Sequence, residues 1–432
     1  MAISTLFPVT IGDWPMYQHD AENTGFSLSP FPDSLNVIYN LSYDEILNTT
    51  YWSLQASPII ADGKIFIAGG GWRFETDVIA LDENNGSLIW ETDLPLNYSK
   101  TPFITVNSPV VSNGTVFVCY TSLLAFPPQS RIFALDENTG EIIWEKRFFT
   151  CSYYPSLTIS DDKIVIGGHF TYLLPISRLY VFDASNGDLI WRKTILGYFE
   201  STPVVSNNTV FTATSCKSPM LISLNFPVFS RLGRVYAFDL DDGRKIWSTR
   251  IAGHVILSSP SVSDGKLLVP STNIIGLFLW NRRVTALDVE TGEEIWHYRL
   301  IKTVYNACWP ASISTPSVGY GKVFITDSSG FIIALDENTG DMLWKSEIIE
   351  DIESPSMCSA VPPVIADNKV IVASLERNEI ITKSEICMFN VSNGEKIWNM
   401  NYGNGETVKP IPFAIANGKL FINVIKTIYV YG

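Results

Sequence analysis

Seven near-identical segments of eleven residues, each ending in tryptophan, constrain the fold of this chain more than any other feature. ALDENTGEIIW (134–144) is representative, and the segments lie about 51 residues apart on average. Each joins two apolar stretches through a turn rich in Asp, Asn and Gly, which is typical of a β-hairpin. A repeat of this length is typical of the blades of a propeller. The final residues of the segments are Trp90, Trp144, Trp191, Trp247, Trp296, Trp344 and Trp398.

A second hairpin precedes each of these segments. In SPVVSNGTVFVCY (108–120), a proline opens a short strand, a tight turn follows, and a second strand completes the unit. We label the four strands of each repeat A to D in chain order. Because these segments lack the helical period, the sequence predicts an all-β chain.

The two ends of the chain are expected to share an eighth blade. Residues 409–432 supply strands A to C only, and residues 36–42 (NVIYNLS) can supply strand D, with Tyr39 at the position of the repeat tryptophan. This exchange closes the ring and removes exposed sheet edges. The sequence therefore predicts an eight-bladed β-propeller of four-stranded antiparallel blades, in which residues 1–432 form a single domain. Its predicted parts are an N-terminal lead-in (1–34), the outer strand of blade 8 (35–42), blades 1 to 7 (57–408) and the inner strands of blade 8 (409–432).

The repeated pattern A-x-D-x-x-T-G-x-x-x-W resembles the tryptophan-docking motif of quinoprotein-like (PQQ-like repeat) β-propellers. Residues 13–27 (DWPMYQHDAENTGFS) resemble the stretch that leads into such propellers, so the resemblance covers nearly the whole chain. It implies that each motif tryptophan packs between neighbouring blades, near the motif alanine. Blades 3, 4 and 7 depart from the pattern at Val181, at Phe238 after Ala237, and at Met388 and Asn390. The implied pairs are Trp90 with Ala80, Trp144 with Ala134, Trp296 with Ala286 and Trp344 with Ala334.

The family contains both enzymes and non-catalytic members, so the fold alone does not decide the function. Its quinone-dependent alcohol dehydrogenases hold the quinone against a disulfide between adjacent cysteines. This chain has no Cys-Cys pair and no CxxCH haem motif. The resemblance is closer to non-catalytic members such as the outer-membrane assembly lipoprotein propeller, and it implies no catalytic residues and no bound PQQ.

The sequence contains no evident metal site. Its four histidines, at positions 19, 169, 254 and 297, occupy unrelated blade positions, whereas a metal site needs three or four converging ligands. The turns at 136–140 and 336–340 (DENTG) superficially resemble part of a calcium loop. Since the first Asp is needed to hydrogen-bond the turn backbone, we expect hairpin turns and no metal.

The six cysteines are widely spaced and follow no disulfide framework. Cys119 and Cys387 lie inside predicted strands and are expected to be small buried hydrophobic residues. Cys151, Cys216, Cys308 and Cys358 fall in connections between strands. Because Cys308 and Cys358 occupy equivalent connections of consecutive blades, they are the pair to test for a disulfide.

The loops between strands B and C of blades 2 to 5 form the first candidate binding surface. These loops (123–129, 170–177, 216–230 and 273–281) hold one charged residue, Lys217, among 39. They are expected to share one face with the connections from strand D to the next strand A. This pattern indicates either a docking surface for a protein partner, an absent companion domain or a membrane surface, or loops that pack on one another. The candidate partner residues are Phe126, Tyr172, Phe226, Phe229, Phe278 and Trp280.

The last residues of the D-to-A connections are expected to rim the central channel. Aromatic planes with carboxylates and amides suit a sugar or another small polar ligand, although the same side chains could simply plug the channel. The candidate residues at this channel mouth are Trp52, Gln55, Tyr153, Tyr154, Glu200 and Trp309.

The formal net charge of -14 belongs to one face of the predicted ring. The seven C–D turns carry -16 in total, so the remainder of the chain nets +2. The acidic balance without a basic cluster argues against nucleic acid, and no apolar run is long enough for a transmembrane helix. MAISTLFPVT lacks the features of a signal peptide, so any signal or anchor is expected in a longer native chain.

These features together predict a non-catalytic binding or scaffolding propeller that acts outside the cytoplasm, as a secreted or cell-surface protein. Two alternatives remain open. One is an enzyme, quinone-dependent or with another small ligand at the channel mouth, and the other is the sensor domain of a larger receptor.

Overall fold

The structure is a computed structural model that describes most of the chain. Its described residues contain strands and turns and no helix. Among them, no helix is long and apolar enough to cross a membrane. The described ranges are 12–32, 35–42, 57–69, 77–95, 104–122, 129–150, 157–169, 175–199, 201–215, 233–252, 258–275, 279–303, 313–327, 330–348, 361–377, 382–401, 413–424 and 427–432.

Eight antiparallel sheets form the eight blades, and the predicted eight-bladed propeller is confirmed. Within each blade the strands lie in the order A–B–C–D from the inside of the ring outward. The A strands are β2 (Ile59–Ala61), β7 (Val110–Ser112), β11 (Thr158–Ser160), β15 (Val204–Ser206), β19 (Ser261–Ser263), β23 (Ser317–Gly319), β27 (Val364–Ala366) and β31 (Ala414–Ala416). The B strands are β3 (Lys64–Ala68), β8 (Thr115–Ser122), β12 (Lys163–His169), β16 (Thr209–Thr214), β20 (Lys266–Ile275), β24 (Lys322–Asp327), β28 (Lys369–Arg377) and β32 (Lys419–Val424).

The C and D strands complete each blade on its outer side. The C strands are β4 (Asp77–Asp82), β9 (Gln129–Asp136), β13 (Ile176–Asp183), β17 (Gly233–Asp239), β21 (Leu279–Asp288), β25 (Phe331–Asp336), β29 (Thr382–Asn390) and β33 (Thr427–Tyr431). The D strands are β5 (Leu88–Asp93), β10 (Ile142–Phe148), β14 (Leu189–Leu196), β18 (Lys245–Ile251), β22 (Glu294–Thr303), β26 (Met342–Glu347), β30 (Lys396–Asn401) and, in blade 8, β1 (Val37–Ser42).

Blades 2 and 5 contain strand segments that the sequence did not predict. In blade 2, β6 (Ile104–Val106) pairs with the far end of β8 and makes a fifth strand. In blade 5, residues 273–275 and 279–281, predicted as loop, continue β20 and β21, with Ile274 opposite Trp280. The ladder thus extends into a stretch whose composition indicated only an apolar loop.

The ring closes through the two chain ends, as predicted. Strand β1 pairs with β33 in antiparallel register, with Leu41 opposite Ile428 and Tyr39 opposite Val430. At the centre, every A strand contacts the A strands of both neighbouring blades. Side-chain hydroxyls reinforce this inner ring, since Thr158, Ser261 and Ser317 each donate to the carbonyl oxygen of a proline in the next blade.

The hydrophobic core lies between blades rather than within them. One buried cluster spans blades 7, 8, 1 and 2, and five others fill the spaces from blades 2 and 3 to blades 6 and 7. A single four-stranded sheet has no core of its own and must bury its apolar faces against its neighbours. The stability of each blade therefore depends on an unbroken ring.

Replacing Lys419 by methionine should weaken ring closure. Lys419 Nζ lies 3.1 Å from Oε1 of the buried Glu83, which joins blade 8 to blade 1. Without the ammonium group, the buried carboxylate of Glu83 loses its opposite charge. We therefore expect a loss of about 2 kcal/mol in the free energy of unfolding, measured by urea denaturation.

Lys322→Met is the matched control for this substitution. Lys322 opens β24 at the equivalent position but bonds the carbonyl oxygen of Tyr320 in its own turn. A loss of the same size in both variants would contradict a specific role in closure.

Candidate functional site

Most of the predicted binding residues lie outside the described residues. This holds for all six channel-mouth residues (Trp52, Gln55, Tyr153, Tyr154, Glu200 and Trp309) and for Phe126, Tyr172, Phe226, Phe229 and Phe278. The backbone of Trp280 is described and belongs to β21, opposite Ile274 and Lys302. Cys151, Cys216, Cys308 and Cys358 also lie outside the described ranges, whereas Cys119 and Cys387 are buried free thiols in strands, as predicted. Both candidate surfaces therefore stay predictions.

The N-terminal lead-in runs through the centre of the ring and pairs with its inner strands. In six blades the middle residue of strand A donates its backbone N–H to a carbonyl oxygen of residues 14–25. Strand A is the inner edge of its sheet, so these amides have no ladder partner within the blade. The lead-in thus satisfies the backbone that lines the channel. The donor and acceptor pairs are Ile60 with Trp14, Val111 with Pro15, Val205 with Ala21, Val262 with Glu22, Val318 with Thr24, and Ile365 with Gly25.

Side chains of the lead-in also enter the spaces between blades. Trp14 and Phe31 are buried in the large cluster around blades 8 and 1. Met16, Ala21 and Phe26 pack against the clusters of blades 2 and 3, 3 and 4, and 6 and 7. The segment 12–32 is therefore a hub that contacts most of the blades, a role that its resemblance to a family lead-in did not specify.

Within this hub, the Tyr17 side chain hydrogen-bonds to hydroxyl side chains that belong to blades 5 and 6. The Tyr17 hydroxyl lies 3.2 Å from Thr315 Oγ1, which accepts the backbone N–H of Ser259. Burial raises the pKa of Tyr17 above its usual value, so the phenol stays protonated. Ser259 and Thr315 each lie two residues before the A strand of their blade, so the lead-in contacts the start of these strands in blades 5 and 6.

Six of the seven motif tryptophans reach from their own blade to the C–D turn of the next blade. The indole Nε1 of Trp90 donates to the carbonyl oxygen of Glu137 at 2.8 Å, and five further indoles make the equivalent bond. Tyr39 replaces tryptophan in blade 8, and its hydroxyl donates to Glu83 O of blade 1. The motif alanines lie directly opposite the tryptophans across the C–D ladder, for example Ala80 opposite Trp90. The other donors are Trp144, Trp191, Trp247, Trp296 and Trp344.

Trp398 differs from the other motif tryptophans. It is half-buried and packs against the core beside blade 8. Blade 8 has no C–D turn, because its C and D strands belong to opposite ends of the chain. The docking role of all seven tryptophans stays a prediction, which these contacts support and which substitution of the tryptophans can test.

In blades 2 to 7 the glycine of the C–D turn makes room for the indole of the preceding blade. A Cβ placed on Gly140 would lie 2.6 Å from Trp90 Cε3, and the same close approach recurs at the equivalent glycines. Gly140 also has a φ of +73°, which disfavours other residues. Two independent constraints therefore select glycine at this position.

Replacing Gly140 by alanine should destabilise the ring through contact with Trp90. Gly114→Ala in the same blade is a matched control, since Gly114 has a φ of +72° and nothing within 4 Å of an added Cβ. Both variants bear the backbone strain, whereas only Gly140→Ala brings a Cβ against the Trp90 indole and Thr92 Oγ1 of the preceding blade. We expect Gly140→Ala to cost about 2 kcal/mol more in thermal or urea unfolding. Equal losses would show that indole contact contributes nothing.

The acidic face predicted from the sequence is present in the structure. In blades 1 to 7 the C–D turn hydrogen-bonds the A–B turn of the same blade, so these turns share one face. The backbone amide of Thr139 lowers the pKa of Asp136, and Thr291 and Thr339 do the same for Asp288 and Asp336. These carboxylates stay ionised and hold the turns, which is the role expected of the first Asp.

His169 lies buried at the end of β12, between blades 3 and 4. Its ring contacts the ring of Tyr198 edge-on, with centroids 6.2 Å apart. Burial lowers its pKa from 6.5 to about 4, and a hydrogen bond with the backbone of Phe199 opposes this shift. The imidazole is therefore neutral at pH 7.

The stability of the protein should fall as pH decreases from 6.5 to 4, partly because of His169. The unfolded chain takes up a proton on this residue near pH 6.5, but the folded chain does so only near pH 4. The difference corresponds to about 3 kcal/mol. In urea unfolding across this range, His169→Asn should give a flatter pH dependence than the wild type. An unchanged slope for His169→Asn would contradict this assignment.

In the described part of the chain, no group of three or more His, Cys, Asp or Glu side chains could hold a metal ion.

A family model described as "Outer membrane protein assembly factor BamB" matches residues 45–169, 128–225 and 231–423. The chain belongs to this family.

Individual relatives include both assembly factors and dehydrogenases. The BamB protein of Yersinia pestis is 27% identical over 62% of this chain and 61% of its own length. BamB of Nitrosomonas eutropha is 26% identical over 38% of this chain and 37% of its own. The quinohemoprotein alcohol dehydrogenase of Comamonas testosteroni is 26% identical over 42% of this chain and 25% of its own. The chain thus aligns with less than two thirds of each relative.

Solved structures of both groups share the fold. BamB from Moraxella catarrhalis superposes with a TM-score of 0.60 and 16% identity, covering 92% of this chain and 97% of that one. The Comamonas testosteroni dehydrogenase superposes with a TM-score of 0.67 and 13% identity, covering 98% of this chain and 81% of that one. At these identities the likeness concerns the fold alone.

Proposed function

We propose that this chain is a non-catalytic scaffold that docks a protein partner outside the cytoplasm, through the B–C loops of blades 2 to 5. The observation that carries the proposal is the family match, which spans nearly all of the blades. The relatives of this family named above are called outer membrane protein assembly factors, which favours a role in assembling other proteins at that membrane.

The architecture supports a scaffold. The lead-in pairs with the inner strands of six blades, and aromatic side chains join each of seven blades to the next. A frame of this kind suits the presentation of connecting loops to a protein surface. Strands B and C of blades 2 to 5 are joined at the end opposite the acidic turns, and the residues that join them are nearly uncharged.

Shortening the loops 123–129, 170–177, 216–230 and 273–281 together should abolish recovery of the partner in a pull-down from the native envelope fraction. The control shortens the connection at 378–381 between β28 and β29 of blade 7, which should leave recovery intact. Unchanged recovery with the four shortened loops would refute docking through them. Melting temperatures of both variants distinguish lost docking from lost folding.

A quinone-dependent enzyme is the second candidate, favoured by the 26% sequence identity with a quinohemoprotein alcohol dehydrogenase over 42% of this chain. It is tested in the same preparation by incubation with PQQ and calcium, followed by the absorbance spectrum and a dehydrogenase assay. A quinone absorbance band together with turnover would replace the scaffold proposal. If neither is seen at saturating PQQ, the scaffold proposal is retained. Thermal shifts with a panel of sugars test the channel mouth for a carbohydrate or other small ligand.

A further inference from the structure

Exposed apolar side chains are concentrated at one repeated position of the blades. Among the described residues, thirteen of the seventeen exposed large hydrophobic side chains occupy the first two positions of a D strand. Single exposed apolar residues are ordinary on a protein surface, but a repeated set on one rim is not. We call this set the outer rim.

The outer rim is asymmetric around the ring. Four consecutive blades, 8, 1, 2 and 3, have apolar residues at both positions, whereas the D strands of blades 4, 5 and 7 begin with Lys245, Glu294 and Lys396. Blade 6 also has an apolar pair, Met342 and Leu343, but it stands apart from these four blades. The arc of four consecutive blades carries eight side chains that are 39–53% exposed. The eight are Val37, Ile38, Leu88, Ile89, Ile142, Ile143, Leu189 and Ile190.

Acidic turns separate the apolar pairs of the arc. For example, the C–D turn of blade 2 lies against the D strand of blade 1, since Thr92 Oγ1 donates to the carbonyl oxygen of Gly140. The apolar pair of blade 2 begins two residues after this glycine, at Ile142. The C–D turns of blades 1, 2 and 3 carry net charges of -2, -3 and -2. Lys419, Lys64 and Lys146 each meet one carboxylate of these turns, which leaves the arc acidic.

The backbone at this rim is also suited to binding. Strands β1, β5, β10 and β14 are each the last strand of their sheet. An edge strand can accept an extended segment by hydrogen bonding, while side chains on alternate faces give specificity. A segment that binds here must therefore carry apolar residues to contact the apolar pairs and basic residues to pair with the carboxylates beside them.

We propose that the outer rim of blades 8, 1, 2 and 3 binds an extended segment of a partner protein that combines apolar and basic residues. Charge distinguishes this occupant from the others. A second copy of this chain would bring one acidic rim against another, and an anionic membrane would be repelled in the same way. This surface lies at the ring periphery, apart from the B–C loops, so it goes beyond the proposed function and does not depend on it.

The probe for this surface is a synthetic twelve-residue peptide of alternating leucine and lysine, carrying a fluorophore. In fluorescence anisotropy it should bind the full chain, and raising the salt from 50 to 500 mM should weaken binding at least tenfold. The same peptide with glutamate in place of lysine should not bind. Absence of binding by the lysine peptide, or equal binding of both peptides, would overturn the proposal.

Matched substitutions locate the binding surface. The double variant Ile143→Ser/Ile190→Ser lies within the arc and should weaken binding at least tenfold. Ile295→Ser/Ile397→Ser changes the equivalent positions of blades 5 and 7 and should leave binding unchanged. Equal weakening by both variants would refute the arc as the binding site. Self-association of the chain, or its binding to anionic vesicles, would refute the proposed occupant if either were lost only in the arc variant. Variants with shortened loops should still bind the peptide, so failure here and failure of loop docking are distinguishable.

Discussion

The rest of the structure depends on the contact in which an aromatic side chain of one blade hydrogen-bonds the C–D turn of the next. A blade has no core of its own, since its buried side chains belong to clusters shared with its neighbours. Burying a tryptophan contributes about 4–6 kcal/mol as an upper bound. The turn glycine, the turn carbonyl and the indole form one unit, which explains why these residues recur together.

A ring built from such contacts must close, and the chain closes it in two places. At the periphery, Tyr39 on the N-terminal strand docks on blade 1 as the tryptophans do elsewhere. At the centre, the lead-in supplies carbonyl partners to inner-edge amides that the sheets leave unpaired. Both closures come from the first forty residues, so the N-terminal segment contributes to the packing of most blades.

The fold could be predicted from the sequence more completely than the candidate sites. The turn Asp, Asn and Gly act within a few residues of chain, so their pattern identifies each hairpin and, by counting, the number of blades. Strand β6 and the extended ladder of blade 5 were missed, because short apolar stretches are equally consistent with strands and loops. The channel-mouth and loop residues were chosen by composition and position alone, and all but Trp280 lie outside the described residues, so they stay predictions.

By itself, the sequence determined the repeat, the order of strands within a blade, the partner strand for the last blade and the acidity of one face. These properties follow from local turn chemistry and from periodicity, which a linear sequence contains. Only the tertiary structure decided that residues 12–32 fill the centre, that His169 is buried between blades, and that exposed apolar pairs form an arc over blades 8, 1, 2 and 3. Each depends on which residues of different blades become neighbours, and closure of the ring sets those distances.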